Sequence, residues 1–194
     1  MQRIVLASTS PYRRELLSRL RLTFDSVPPA IDESALAGES PRATARRLAQ
    51  AKAVAVATLA PAAVVIGSDQ VADLDGEPLN KPGSHAAALA QLQRLQGREA
   101  VFHTALCVAT AGGSHLDIDC VPTRVRFRRL STAQLEAYLQ ADQPYDCAGA
   151  AKIESLGIAL VESVRSDDPT ALIGLPLIRL STMLARAGLR IPAA

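Results

Sequence analysis

The alternation of apolar and polar positions along the chain predicts strands and helices that follow one another in turn. Short apolar runs that end at glycine, proline or polar clusters are typical of buried strands. By this criterion we expect strands at residues 3–7, 23–27, 63–67, 100–110, 115–129 and 157–162. Asp75-Gly76 favours a tight turn, so residues 71–74 and 77–79 are expected to pair as a small hairpin.

Helices are expected where apolar residues recur every three or four positions. This spacing predicts helices at residues 11–20, 40–60, 84–95, 131–140 and 177–187. Ser40 and Pro41 support the start of the longest helix, because serine caps a helix N-terminus and proline fits its first turn. Helices interleaved with strands and hairpins indicate the α/β class, with a mixed central sheet flanked by helices.

Composition limits the kinds of function that such a fold can carry. Of the 194 residues, 48% are hydrophobic and 21% are charged, which is ordinary for one globular domain over residues 1–194. The formal net charge is only +2 and aromatic residues make up 3%, so we expect no extended surface for binding nucleic acid. An anion would instead bind at a local cluster of basic side chains.

The spacing of cysteines favours a reducing compartment. Cys107, Cys120 and Cys147 lie far apart in the sequence, and their odd number supports no disulfide framework. The longest nearly apolar stretch, residues 53–66, is interrupted by Pro61 and is too short to span a membrane. We therefore expect a cytoplasmic protein without a membrane partner.

The first candidate site is the run Ser8-Thr9-Ser10-Pro11-Tyr12-Arg13-Arg14, where an expected strand gives way to an expected helix. A helix N-terminus presents free backbone N–H groups and a positive dipole end, and both attract phosphate. Arg13 and Arg14 add permanently charged donors in the first turn. A capped helix with a solvated arginine pair explains the same residues equally well.

The second candidate is Asp69, in the segment Ile66-Gly67-Ser68-Asp69-Gln70 at the expected end of an apolar strand. Ligands of open α/β sheets gather at the carboxyl ends of strands, where an aspartate can orient water or bind a metal. Taken alone, an aspartate that ends its strand in a turn is the simpler explanation. Further charged residues stand at Asp32-Glu33, Lys52 and Lys81-Pro82.

Together these segments resemble the signature motifs of the Maf-like nucleotide pyrophosphatases. The matching segments are residues 6–17, Asp32-Glu33, Lys52-Ala53, Gly67-Ser68-Asp69, Lys81-Pro82, Ala148-Gly149 and Gly174-Leu175-Pro176-Leu177. They follow the family's order over nearly the whole chain. The resemblance implies a mixed α/β fold of the Maf/inosine-triphosphatase type, with a cleft between two lobes and often a homodimer.

The resemblance also implies an activity, a cofactor and a set of residue roles. The family hydrolyses a nucleoside triphosphate to the monophosphate and pyrophosphate with a divalent metal cation (Mg²⁺, Mn²⁺ or Co²⁺). Carried over, Asp69 is the catalytic base that activates water, and Glu33 holds the metal together with Asp69. The triphosphate would be bound by Ser8, Arg13, Arg14, Lys52 and Lys81. Whether Asp69 is the base or only a metal ligand stays open.

Three positions bear on the identity of the nucleotide. Tyr12, Gln70 and Glu154 are similar to the aromatic residue, glutamine and glutamate of the branch that acts on 7-methyl-GTP. Guanine methylated at N7 is cationic, so an aromatic face attracts it, and a carboxylate can accept hydrogen bonds from its N1–H and 2-amino edge. Tyr12 departs from the tryptophan that we would expect in this branch.

Two alternatives stay open beside this interpretation. One is a pyrophosphatase of the same family that acts on dTTP or UTP, a branch that has arginine, threonine and glutamine at the three positions. The other is a non-enzymatic module that binds nucleotide or RNA, with Arg13 and Arg14 as phosphate anchors. The role of Lys152, two residues before Glu154, is also open.

Overall fold

One mixed β-sheet organises the fold. The computed structural model describes residues 2–192, and over these residues one mixed sheet has seven strands. The strands are β1 (Ile4–Leu6), β2 (Asp25–Ser26), β3 (Val64–Leu74), β4 (Glu77–Leu79), β5 (Glu99–Thr110), β6 (His115–Phe127) and β7 (Val161–Arg165). The α-helices are α1 (Pro11–Ser18), α2 (Pro41–Leu59), α3 (His85–Leu95), α4 (Thr132–Asp142) and α5 (Leu177–Arg186).

The sheet changes from parallel to antiparallel pairing at β3. The strand order is β2-β1-β3-β5-β6-β7, with β2, β1 and β3 parallel and the remaining pairs antiparallel. On the edge of β3 opposite β5, β1 pairs with Val64–Ile66 and β4 pairs with Ala72–Leu74. Among the described strands, none pairs with residues 67–71 on that edge, so the sheet has a gap there.

Serine caps determine where four of the five helices begin. Each hydroxyl accepts a hydrogen bond from the backbone N–H three residues later; the four residues are Ser10, Ser40, Ser84 and Ser131. Such a bond satisfies one of the N–H groups that a helix terminus leaves without a partner. The starts predicted for these helices are therefore confirmed, and the observed ends lie within two residues of the predicted ones.

The N-terminus of the fifth helix, α5, is capped by a residue that lies well before the helix in the sequence and not directly next to it. Pro176 precedes α5 and offers no capping side chain. Instead the carboxylate of Asp168, which is 2% exposed, accepts the N–H groups of Ile178 at 2.7 Å and Arg179 at 3.2 Å. It also accepts the backbone N–H and the hydroxyl of Thr170, at 3.0 and 2.6 Å. One buried side chain therefore ties the preceding segment to the helix.

Removal of this carboxylate is expected to destabilise the fold. Asp168→Ala leaves partly buried N–H groups without this acceptor and removes a negative charge from a helix N-terminus, so the free energy of unfolding should fall by about 2 kcal/mol. Urea denaturation followed by circular dichroism measures the change. Asp167→Ala is the matched control, because Asp167 is exposed. Equal stability of the two variants would contradict the capping role.

The buried apolar residues divide between two halves of the sheet. In the half that contains β1, Ala49 and Ala53 of α2 pack on one face, and Leu16 of α1 with Leu180 of α5 pack on the other. In the other half, Phe102 of β5 packs with residues of α3 and α4. The gap in the edge of β3 lies between these halves. No helix in the described part of the chain has the length and apolar character that crossing a bilayer requires.

The structure confirms the mixed α/β class but corrects the strand around Asp69. Residues 63–67 and 71–74 belong to a single strand, so Asp69 lies inside β3 and not at the end of a strand. The polar side chains of residues 68–70 suggested an end in the sequence. However, β5 pairs with β3 without interruption from Val65 to Asp73, and this pairing continues the strand through the polar segment.

Two further strand predictions were wrong in extent. The strand expected at 157–162 begins only at Val161, because Leu156–Leu160 forms a 3-10 helix. Gly157 lies against the backbone of Lys152, where a Cβ atom would be 2.4 Å from the carbonyl oxygen, and this close turn excludes an extended chain. The strand expected at 23–27 is only Asp25–Ser26. The remaining strands and the hairpin are confirmed.

Candidate active site

The gap in the edge of β3 lies beside the end of β1 and the start of α1. Ser8 follows β1 closely and is buried, and its hydroxyl accepts the N–H of Ser10 at 3.1 Å. Ser10 in turn caps α1 by accepting the N–H of Arg13. This short turn brings the N-terminus of a helix, and with it the positive end of the helix dipole, to the sheet edge. The strand-to-helix transition predicted at Ser8–Ser10 is therefore confirmed.

Two carboxylates, those of Asp69 and Glu33, meet at Lys52, which lies on α2. Its Nζ is 2.7 Å from Asp69 Oδ1 and 2.7 Å from Glu33 Oε2. Lys52 and Asp69 are buried, whereas the side chain of Glu33 is 56% exposed. Because buried charges are tolerated only when they are paired, Lys52 holds the Asp69 carboxylate and connects it to a carboxylate that is open to solvent.

Gly67 allows α2 to lie close enough to β3 for this contact. A Cβ atom at Gly67 would be 2.3 Å from the carbonyl oxygen of Ala49 and 2.7 Å from the backbone nitrogen of Ala53. Both alanines are small and fully buried. Since helix and strand touch through these small residues, Lys52 of the helix reaches Asp69, two residues beyond Gly67 on the strand.

Arg47, also on α2, holds the loop that carries Glu33. Its guanidinium binds both carboxylate oxygens of Glu39 at 2.8 Å and donates to the carbonyl of Ser34 at 3.0 Å. The hydrogen bonds from Arg47 lower the pKa of Glu39 to about 2, so this pair persists at neutral pH. Glu33 is thus presented to Lys52 by a loop that is fixed on the same helix.

Arg13 reaches the same region from α1. Its Nε donates to the carbonyl of Gly174 at 2.9 Å, and Ser68 Oγ lies 3.1 Å from that carbonyl. Burial lowers the pKa of the Arg13 guanidinium, and the nearby charges of Asp69 and Glu33 oppose this shift. Arg13 and Lys52 therefore lie in the same region as the carboxylates of Asp69 and Glu33. The two positive and two negative formal charges cancel.

Arg14 and Lys81, the other two expected phosphate ligands, are exposed. Arg14 lies in the first turn of α1 beside Arg13. Lys81 lies on the loop before α3, which is tied to another loop by a hydrogen bond from the N–H of Gly83 to the carbonyl of Tyr145 at 2.9 Å. The hydrogen bonds of the Asp69 carboxylate within the described residues include neither cation, so their roles stay predictions.

A second group of side chains surrounds Tyr12 on α1. The ammonium of Lys152 lies 5.8 Å from the centre of the Tyr12 ring. Burial, followed by the charges of Cys147, Asp146 and Glu154, raises the pKa of Tyr12 to about 12, so its phenol stays neutral. Burial is also the main cause that raises the pKa of Glu154. Two of the three expected specificity residues, Tyr12 and Glu154, are therefore neighbours.

Gln70, the third expected specificity residue, points to the face of β3 opposite Asp69, because adjacent residues of a strand alternate. Its amide nitrogen is 2.9 Å from Thr104 Oγ1, 3.0 Å from the carbonyl of Ala171 and 3.1 Å from that of Leu172. These acceptors engage both N–H bonds of the amide. Gln70 thus holds the segment next to Gly174, and its contact with a base stays a prediction.

The pair of Glu33 and Asp69 suits a divalent cation that takes most of its ligands from elsewhere. Within residues 2–192, no group of three or more histidine, cysteine, aspartate or glutamate side chains is placed to hold a metal ion. Mg²⁺ is usually bound by one or two carboxylates together with water and substrate phosphates. The Lys52 ammonium already contacts one oxygen of each carboxylate, so a cation of this kind would be bound by the lone pairs of Glu33 and Asp69 that Lys52 leaves free.

The sequence patterns did not indicate several residues that shape this region. Ser68 Oγ donates to the carbonyl of Ala105 at 2.8 Å, and Thr104 Oγ1 donates to that of Ala171 at 2.8 Å. Both side chains are fully buried. Their acceptors lie 37 and 67 residues away in the sequence, so no local pattern could reveal them.

Comparison with known proteins places this chain in a family. A family model described as Maf-like protein matches residues 3–187. A relative from Paraburkholderia xenovorans is 61% identical over 189 residues, which cover 96% of this chain and 92% of that protein. A relative from Albidiferax ferrireducens is 54% identical over 190 residues, which cover 98% of this chain and 96% of that protein. Both relatives bear the name 7-methyl-GTP pyrophosphatase.

Among solved structures, a HAM1 protein from Coxiella burnetii has a similar fold. The TM-score is 0.54 at 16% identity, and the match covers 96% of this chain and 100% of that chain. This likeness bears on the fold alone. Membership rests on the family model, which covers nearly all of the described residues, and on the curated relatives. The chain belongs to the Maf-like protein family.

Proposed function

We propose that this protein is a nucleoside triphosphate pyrophosphatase that hydrolyses 7-methyl-GTP to 7-methyl-GMP and pyrophosphate, which removes a modified nucleotide from the cellular pool. The observation that carries the proposal is the buried pair of Asp69 and Lys52 at the gap in the sheet, with Glu33 open to solvent beside it. The relatives named 7-methyl-GTP pyrophosphatase support the choice of nucleotide.

In this proposal Asp69 accepts a proton from the attacking water. Lys52 donates to Oδ1 of the carboxylate, which leaves Oδ2 as the acceptor. The water oxygen forms a bond to the α-phosphorus while the bond from the α-phosphorus to the bridging oxygen of pyrophosphate breaks. The water proton passes to Asp69 Oδ2, as in general base catalysis.

Positive groups would stabilise the charge that develops on the phosphate oxygens and on the departing pyrophosphate. Arg13 is half-buried beside Asp69, whereas Arg14 and Lys81 are exposed and can move onto the phosphates. Loss of one such contact typically costs about 3 kcal/mol of transition-state stabilisation. A divalent cation, Mg²⁺, Mn²⁺ or Co²⁺, held by Glu33 and Asp69 would supply further positive charge at these oxygens.

Tyr12 and Glu154 suit a cationic purine. A cation over an aromatic face gains about 0.5–2 kcal/mol, and methylation at N7 gives guanine that charge. The Glu154 carboxylate can accept hydrogen bonds from the N1–H and the 2-amino group, and the charge of the ring strengthens them. A pyrimidine offers neither the positive charge nor this pair of donors, so the subsite favours 7-methyl-GTP.

Pyrophosphate release from a panel of nucleotides tests the proposal. We would compare kcat/KM for 7-methyl-GTP, GTP, dTTP and UTP, each with Mg²⁺, Mn²⁺ or Co²⁺, and expect 7-methyl-GTP to be preferred. Faster cleavage of dTTP or UTP would instead identify a pyrimidine pyrophosphatase of the same family. Cleavage of none, together with tight binding of RNA, would identify a non-enzymatic module.

The preference for 7-methyl-GTP over GTP is expected to fall on acidification. Burial raises the pKa of Glu154 above its ordinary value of 4.5, so this carboxyl takes up a proton at a higher pH than an exposed glutamate. Protonation removes the attraction for a cationic ring, so the ratio of the two kcat/KM values should decline as the pH falls through the raised pKa. Glu154→Gln should abolish the decline; its persistence in that variant would assign it to another group.

We also infer that the protein acts in the cytoplasm as a homodimer. Three cysteines are free thiols in the structure, as expected where thiols stay reduced. The exposed apolar side chains of Leu156, Ile158 and Val164 lie on or just before β7, which is an edge strand, and a second copy would cover them. Light scattering at assay concentration measures whether the mass is twice that of one chain.

A further inference from the structure

Lysine is scarce in this protein, which has three lysines against 18 arginines. Lys52 and Lys81 already have places in the proposed phosphate site. The third, Lys152, lies in the other group of side chains, with its ammonium 5.8 Å from the centre of the Tyr12 ring. This distance is within the range of cation–π attraction. A cation thus covers the aromatic face to which the base has been assigned.

We propose that Lys152 is an internal occupant of the base subsite: its ammonium covers the Tyr12 ring in the nucleotide-free protein and leaves when a base stacks there. The inference rests on the proposed function, because it assigns the Tyr12 face to the base. The ammonium of Lys152 stands in for the positive charge of 7-methylguanine, and every base that stacks on Tyr12 has to displace it.

The backbone of Lys152 is held in place from three directions. Its N–H donates to the hydroxyl of Tyr138 at 2.9 Å, and its carbonyl accepts the N–H of Ser155 at 3.1 Å. Gly157 packs so closely that a Cβ atom there would lie 2.4 Å from the Lys152 carbonyl oxygen. The start of the side chain is therefore fixed, and only its flexible stem determines where the ammonium lies.

The electrostatic surroundings favour a cation at this place. Burial is the main cause that raises the pKa of Tyr12, and the nearby carboxylates of Asp146 and Glu154 add to the rise, so the ring has acidic neighbours. Burial raises the pKa of Glu154, and the Lys152 ammonium is among the groups that oppose this rise. An aromatic face with a nearby carboxylate is the combination that a 7-methylguanine ring would also meet, so ammonium and base compete for one environment.

The residue type also suits a group that has to leave. A guanidinium would stack flat on the ring and form several directed hydrogen bonds, whereas an ammonium is a compact charge on a flexible stem and is strongly hydrated. The chain uses arginine at 18 other positions, yet it has lysine here. An ammonium can return to water at a small cost, which keeps the subsite accessible.

Displacement of the ammonium costs the same whichever base arrives. Removal of Lys152 should therefore strengthen the binding of methylated and unmethylated guanine nucleotides by one common factor. Cation–π attraction at a partly exposed site corresponds to a factor of about 2–5. The ratio of the Kd values of the two nucleotides should stay unchanged, because the ammonium is absent from both complexes.

Calorimetric titration with the reaction products 7-methyl-GMP and GMP tests this expectation. Lys152→Ala should lower both Kd values about 2- to 5-fold. Lys152→Arg keeps a cation that stacks more firmly on the ring, so it should raise both Kd values and not lower them. In a Tyr12→Leu background, Lys152→Ala should have no effect. Weaker binding to Lys152→Ala would overturn the proposal, because it would place the ammonium on the phosphate.

Two other outcomes would also overturn it. Unchanged Kd values in Lys152→Ala would make Lys152 a surface charge without a part in binding. A gain for 7-methyl-GMP alone would mean that the ammonium stays beside the base and repels the cationic ring. Each outcome is read from binding and not from turnover, so it does not depend on the catalytic step.

A measurement without nucleotide separates this inference from the proposed function. With isotope-labelled lysine, the protein gives three sets of ε-methylene signals in NMR spectra, which single substitutions assign. We expect the Lys152 signal to be shifted upfield by the Tyr12 ring and the shift to disappear in Tyr12→Leu. Absence of the shift in the parent protein would refute the contact.

The NMR result does not depend on the identity of the substrate. If 7-methyl-GTP is not the substrate, the contact between Lys152 and Tyr12 still stands, and the titration is repeated with the monophosphate of the preferred nucleotide.

Discussion

Asp69→Asn is expected to lower kcat about 10²- to 10⁴-fold while the protein stays folded. The variant keeps the shape of the side chain, and its amide oxygen can still accept a hydrogen bond from Lys52, which lies 2.7 Å from Oδ1 in the parent. The second position becomes an NH₂ group, which donates hydrogen bonds but cannot take a proton from water. Lys52 also keeps its bond to Glu33, so the buried ammonium is not left without a partner.

Pyrophosphate release at saturating nucleotide measures this loss, and circular dichroism at the assay temperature checks the fold. Asp73→Asn is the matched control, because Asp73 lies on the same face of β3 and is paired with His103 outside the proposed site. It should leave kcat unchanged. If Asp69→Asn kept more than about a tenth of the parent rate, the base role of Asp69 would be lost.

Gly67→Ala is expected to lower the free energy of unfolding by about 3 kcal/mol or more. The new Cβ atom would meet the carbonyl oxygen of Ala49 at 2.3 Å and the backbone nitrogen of Ala53 at 2.7 Å. These are backbone atoms of α2, so no side-chain rotation can relieve the overlap and the helix has to move. Alanine is otherwise better than glycine inside a strand by about 0.5–1 kcal/mol, and the steric cost exceeds that gain.

Urea denaturation measures the loss of stability, and the activity assay measures what the shift of α2 does to the site. Because Lys52 lies on this helix between Ala49 and Ala53, its distance to Asp69 should change and kcat should fall. Gly38→Ala is the control: its Cβ meets nothing within 4 Å, and it carries only the strain of a φ of +74°. A Gly67 variant no less stable than the Gly38 variant would contradict the close helix contact.

The local features of the fold could be predicted because they depend on neighbours in the sequence. A serine hydroxyl that caps a helix bonds to an N–H three residues later, so Ser10, Ser40 and Ser131 carry their own signal. The turn at Asp75-Gly76 is equally local. The cap of α5 could not be predicted, because Asp168 acts ten and eleven residues away.

The strand that carries Asp69 shows why polar residues mislead a sequence pattern. A polar triplet after an apolar run is typical of a strand end, yet β3 continues through Ser68, Asp69 and Gln70. Each of these side chains is satisfied by a partner far along the chain: a carbonyl on β5 for Ser68, Lys52 for Asp69, and Thr104 for Gln70. Tertiary contacts thus keep polar groups inside a strand.

The sequence by itself determined the α/β class, most element positions and the motifs that mark the family, because periodicity, caps and turns arise from residues close together in the chain. Only the tertiary structure decided that Lys52 binds Asp69 and Glu33, that Gln70 faces away from Asp69, and that Lys152 covers Tyr12. These relations depend on how closely helix and strand approach and on which face each side chain takes, and both are set by packing between segments that are distant in sequence.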